Sequence, residues 1–197
     1  MKKQNVVILA LSIWLATSFI SCSQSKEPDE KTRAALMEKG KRISSNLSGA
    51  LQAKLSSEIQ ENGITEAIKY CSVNALPLTD SISKAEQVKI SRISHRNRNP
   101  LNAANSEEIE LIKKYVLEME TGVALAPTVV TKNSKHTYYA PIVIAMPTCL
   151  KCHGQPGTDI DAQVMNTLNT LYPEDKATGF EMGELRGLFK IEFSGDR

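Results

Sequence analysis

The stretch that decides the fold is VALAPTVVTKNSKHTYYAPIVIAMPTCLKCH, residues 123–153. Residues 123–131 and 135–145 are rich in Val, Thr, Tyr and Ile, which favour a pleated, half-buried strand. Asn133 and Ser134 stand between the runs and suit a tight reversal. The spacing therefore predicts a β-hairpin whose second strand leads almost directly into Cys149.

Outward from the hairpin the pattern continues. Downstream, residues 162–171 read as a short helix ending near Pro173, and 183–193 as a final strand carrying Leu185, Leu188, Ile191 and Phe193. Upstream, residues 106–120 form an acid-start helix with Ile109, Ile112, Tyr115 and Val116 inward, closing near Gly122. Residues 88–94 alternate and read as a strand, and 95–100 as loop. Further back, Leu36, Ile43, Leu47, Leu51 and Leu55 recur at spacings of four to seven, an amphipathic helix over 32–59. Asn62-Gly63 stops it. A second helix from about Thr65 puts Ile64, Ile68, Cys71 and Ala75 on one face, with Pro77 kinking or ending it. Helices precede most strands, which argues for an α+β fold with an antiparallel sheet.

The first residues read as a targeting segment. Lys2 and Lys3 precede an apolar run over 6–20 broken only by Ser12, Thr17 and Ser18. The run is short for a membrane span, which needs roughly 20 apolar residues. Ser21 then precedes Cys22, as in a bacterial lipoprotein signal, although Phe19 stands where Leu is usual. Residues 1–21 are accordingly read as a lipoprotein signal peptide, with Cys22 as the lipidated residue. Residues 22–32, polar and containing Pro28, are read as a flexible tether, and 33–197 as one domain. A plain secretory signal or a retained anchor is the competing reading. The expected location is the periplasmic side of a bacterial membrane. Ser23 gives no strong retention cue, which leaves the outer membrane as the expected anchor site.

Composition limits the partners. Hydrophobic residues make up 41% and charged residues 23%, ordinary for a globular domain. Without Lys2 and Lys3 the chain has 22 basic and 22 acidic residues, so charge gives no reason to expect nucleic acid as a partner.

The chemistry is concentrated in Cys149-Leu150-Lys151-Cys152-His153, the C-x-x-C-H pattern of covalent c-type haem attachment. Two thiols three residues apart on a tight turn both reach one edge of a porphyrin. The next imidazole then lies beneath the iron as proximal ligand. Competing readings are a zinc site that adds Cys71 and a histidine, and a dithiol redox pair. No second C-x-x-C or H-x₃₋₅-H pair supports the zinc reading, and the flanks lack the βαβ context of a redox pair. Cys71 remains alone in an oxidising compartment. It is either a small buried residue on a helix face or the second axial ligand, with Met146, Met165, Met182, His95 and His136 as alternatives.

A family resemblance covers about residues 35–195. It is carried by Tyr70-Cys71 with Ala75 and Pro77, by Arg92-Ile93-Ser94 and Arg98-Asn99-Pro100-Leu101-Asn102, and by Tyr139-Ala140-Pro141-Ile142. Cys149 to Gly154, the run Tyr172 to Phe180, and Gly183-Glu184-Leu185-Arg186-Gly187 complete it. On these residues the chain resembles the Tll0287-like haem domain family. The resemblance implies a PAS-like α+β fold with preceding N-terminal helices and one covalent haem c. It also implies His and Cys axial ligation, which maps onto His153 and Cys71. His95 departs from the family's usual apolar or Lys residue there.

Arg92, Arg96, Arg98 and Arg186 have either a solvated role or a specific one. Guanidinium forks bind carboxylates bidentately, so Arg92 and Arg98 are assigned to the haem propionates. With both axial positions filled, substrate chemistry at the iron is disfavoured. The expected function is electron transfer by a membrane-tethered haem protein with an unidentified redox or signalling protein partner. The alternative is a redox or small-ligand sensor in which Cys71 dissociates. An enzyme is the weakest reading.

Overall fold

The computed structural model describes residues 27–193. The leader, Cys22 and the first part of the segment read as a tether, through residue 26, lie outside them. Among the described residues no helix is long and apolar enough to cross a membrane.

The long helix α1 (Glu30–Ala85) starts where Asp29 accepts the Thr32 N–H at 2.7 Å, so its first residues come from the segment read as tether. It breaks at Gly63, whose φ of 83° is open to glycine at little cost. Arg42 grips Glu86 with two bonds of 2.6 and 2.7 Å. A straight helix would place those residues roughly 66 Å apart. The two arms of α1 therefore run antiparallel, and the Asn62-Gly63 stop is a reversal. Pro77 does not end the second arm. Its ring leaves the Val73 carbonyl without a helical donor, and Val73 lies on an exposed turn.

Four strands form one antiparallel sheet: β1 (Val88–Ile93), β2 (Thr128–Lys132), β3 (Lys135–Val143) and β4 (Leu185–Phe193), in the order β1-β4-β3-β2. Helix α2 (Ser106–Glu120) precedes β2. Helices α3 (Pro147–His153) and α4 (Ala162–Leu171) fill the connection from β3 to β4. The architecture is the expected α+β arrangement, with helix ahead of an antiparallel, PAS-like sheet. The hairpin turns at Asn133 and Ser134, both at positive φ (50° and 58°). Its first strand is shorter than expected and begins at Thr128. Pro127 offers no N–H to a ladder, and Val123 is exposed.

Each face of the sheet has its own helix. On one, Ile43 and Leu47 of α1 meet Tyr138, Phe189 and Ile191. Gly40 makes that approach possible, since a Cβ there would lie 2.3 Å from the Tyr138 ring. On the other, Ile112 and Tyr115 of α2 pack on Ile93, Tyr139 and Leu188.

Candidate functional site

The C-x-x-C-H motif forms α3, a short helix where a tight turn was expected. Pro147 sits in its first turn and Gly154 ends it, donating to the Leu150 carbonyl at 2.8 Å. Cys149 and Cys152 are separated by one helical turn, and they pack into different clusters. Cys149 meets Ile144, Ala177 and Phe180, while Cys152 meets Ile68, Ile160, Val164 and Leu168 at the seam of α1 and α4. Both thiols are free and half-buried.

His153 lines a cleft and is otherwise surrounded by protein. Its Nδ1 lies 2.7 Å from the Ala177 carbonyl, which can only accept, so Nδ1 carries the proton and Nε2 keeps its lone pair. Burial, with help from the Arg186 and Arg98 charges, holds its pKa well below the usual histidine value. A neutral imidazole with one nitrogen anchored and the other basic is the form that ligates a metal. Phe180 meets the ring edge-on, with centroids 6.2 Å apart, and Arg96 covers the face of Phe180 at 3.6 Å.

The cleft, about 220 Å³, lies on the α1 face of the sheet. Leu51 and Gln52 form one wall, Ile142 and Phe189 the floor, and Arg92 and Arg186 the polar lining. Arg186 donates through Nη1 to Ser94 Oγ (3.1 Å) and the Arg96 carbonyl (3.0 Å), but its buried Nε has no partner. Burial pushes its pKa down to about 10. The Arg92 side chain forms no hydrogen bond or ion pair among the described residues, and burial lowers its pKa as well. Two guanidinium groups thus face the cleft without an ion-pair partner among the described residues, and the buried, unbonded Nε of Arg186 is costly unless an acceptor arrives.

Arg98 is placed differently from the sequence expectation. Its Nε meets Asp175 Oδ2 at 2.9 Å, and its Nη2 meets the carbonyls of Cys152 (2.5 Å) and Ala177 (3.3 Å). Its Nε and Nη2 are engaged by protein acceptors behind α3, and Arg186 lines the cleft where Arg98 does not. Sequence reasoning underweighted Arg186, whose available signal was its position in the Gly183 to Gly187 stretch.

Cys71 sits on the second arm of α1, half-buried, and is not among the residues lining the cleft. Burial raises its thiol pKa while the Arg92 charge lowers it. The Cys152 thiol in turn feels Cys71. Cys71, Cys152 and Arg92 therefore share one electrostatic neighbourhood. Among the alternative ligands, Met146 and Met182 are exposed and His136 is held by Thr131 Oγ1 at 3.0 Å on the hairpin. Met165 packs beside Cys152. His95 lies near Arg96 and Arg186, and burial with those charges lowers its pKa. Among the described residues no group of three or more His, Cys, Asp or Glu side chains gathers around a metal position, so the zinc reading gains no ligand set.

These parts define an α+β protein in which a Cys-x-x-Cys-His helix closes a cationic cleft between a helical hairpin and a sheet. The chain belongs to the Tll0287-like family, which it matches over residues 23–194. Its structure is similar to the crystal structure of the cyanobacterial heme-protein Tll0287, with a TM-score of 0.59 at 18% identity. The likeness covers 85% of this chain and 96% of that one. Comparison with curated protein sequences returns no match.

Proposed function

We propose that this chain is an exported, membrane-tethered protein that holds one covalent haem c and carries electrons. The observation that carries the reading is His153, neutral, anchored through Nδ1, and one residue from Cys152 at the wall of a cleft with two unpaired arginines. Cys149 and Cys152 would form the thioethers, His153 and Cys71 would ligate the iron, and Arg92 and Arg186 would receive the propionates. When bound, the haem supplies a one-electron couple, and a thiolate ligand holds its potential low. The protein's part is to fix the imidazole, exclude water with Leu51, Ile142 and Phe189, and neutralise the carboxylates. Tethering through Cys22 supplies the membrane partner, and the relative's printed description as a heme-protein agrees with the cofactor.

A second reading, a redox or small-ligand sensor, is favoured by the position of Cys71. It lies on an arm of α1 that joins the first arm at the Gly63 break, so release of the thiolate has a hinge to act on. Spectra of the wild type and Cys71→Ala, made in a host that attaches haem c, test the reading. The expected result is a haem band that survives denaturation, with a Soret shift in the variant. Absence of covalent haem overturns the proposal. Retention of the thiolate on reduction marks a carrier, and its loss marks a sensor.

A further inference from the structure

The Ala177 carbonyl has two donors, His153 Nδ1 at 2.7 Å and Arg98 Nη2 at 3.3 Å. The Arg98 guanidinium also binds Asp175 Oδ2 at 2.9 Å, and the other oxygen of that carboxylate, Oδ1, accepts the Ala177 N–H at 2.8 Å. Ala177 is therefore gripped on both sides by one ion pair: the acid holds its N–H and the base holds its C=O. The side chains of Arg98 and Asp175 are only 14% and 6% exposed, so these bonds operate in a poorly solvated setting where each polarises the next. A further bond of 2.5 Å ties the same guanidinium to the Cys152 carbonyl, next to His153 in the chain.

We infer that the Arg98–Asp175 pair is the positioning element for His153, fixing the carbonyl that orients the imidazole and placing a cation on that same acceptor. Arg98 is thus a positioning residue and not a propionate ligand. The electronic consequence rests on the haem reading, whereas the geometric one does not. A cation sharing the carbonyl weakens its pull on the Nδ1–H, which keeps the imidazole a poorer donor and favours the reduced iron.

The test uses ¹⁵N-histidine spectra of the full chain, without and with haem, and the reduction potential of the loaded form. Wild type, Arg98→Gln, Arg98→Lys and Asp175→Asn are compared. In wild type, His153 is expected as the Nδ1–H tautomer with slow proton exchange. All three variants should speed that exchange about tenfold or more, because the carbonyl loses its grip. The potential of Arg98→Gln should fall below that of Arg98→Lys, because both loosen the carbonyl and only Gln removes the cation. Arg98→Lys, which keeps the charge and loses the fork, separates positioning from simple charge. A wild-type exchange rate in Arg98→Lys overturns the inference. So does an Nε2–H tautomer in wild type, a result that needs no variant to fold. If wild type takes up no haem the functional proposal fails, while the exchange rates still decide the role of the pair.

Discussion

The two faces of the sheet each carry a charged cleft, and the clefts differ in how the charge is matched. On the α2 face, Lys190 lies 2.9 Å from Glu108 and 3.5 Å from Glu192, and Lys132 pairs with Glu107. On the α1 face, Arg92 and Arg186 line the cleft and neither forms an ion pair among the described residues. A buried charge without a partner costs stability, whereas a matched pair is self-contained. The unmatched face is therefore the one built around something the polypeptide does not itself provide.

Breaking the matched face should have the largest effect. Lys190→Met leaves Glu108, whose side chain is 6% exposed, without its counter-ion and is expected to cost about 3 kcal/mol in urea unfolding. Adding Glu108→Gln should recover part of that loss, and an uncoupled pair of effects would contradict the matched description. The unmatched face should respond in the opposite direction. Arg92→Met in the haem-free chain removes a half-buried cation that has no ion-pair partner among the described residues, and should raise stability by no more than about 1 kcal/mol while impairing haem retention. A loss of stability would show that the cation is served by the fold after all.

The smallest effect concerns Tyr115, whose hydroxyl donates to the Ala126 carbonyl at 2.8 Å. Tyr115→Phe should cost about 1 kcal/mol at neutral pH. Burial lifts this phenol from 10.0 to about 12, so between those values the folded chain keeps a proton that the unfolded chain loses. Its contribution is complete below pH 10 and declines as pH approaches 12. Unfolding measured across that window should therefore show a shallower alkaline decline in Tyr115→Phe than in wild type.

Features set by neighbouring residues were legible. The α2 boundaries follow from a capping box in which Asn105 and Glu108 serve each other, and α4 starts where Asp161 caps Val164, both readable within four residues. Cys149, Cys152 and His153 fall within five residues, so their grouping needed no tertiary knowledge, although the helix that carries them was read as a tight turn. The arginines were another matter. Whether a guanidinium meets a ligand or the protein depends on distant partners, and the partner of Arg98 is Asp175, 77 positions away. Ser94, which orders Arg186 and Arg96 through one hydroxyl, was equally hidden. Pairing of the two α1 arms became visible only through Arg42 and Glu86.

The strand order has a consequence for when this protein can fold. β4 lies between β1 and β3, so residues 185–193 join a strand from near residue 90 to a hairpin from near residue 135. Until they have been made, β1 has no strand neighbour and the hairpin stands alone, a marginal structure in water. The same strand brings Arg186, Gly187 and Phe189 to the cleft. Assembly is therefore a late, concerted event dominated by distant pairings, and slow relative to its helices. During that interval Cys149, Cys152 and His153 are already part of the chain but have no finished cleft around them.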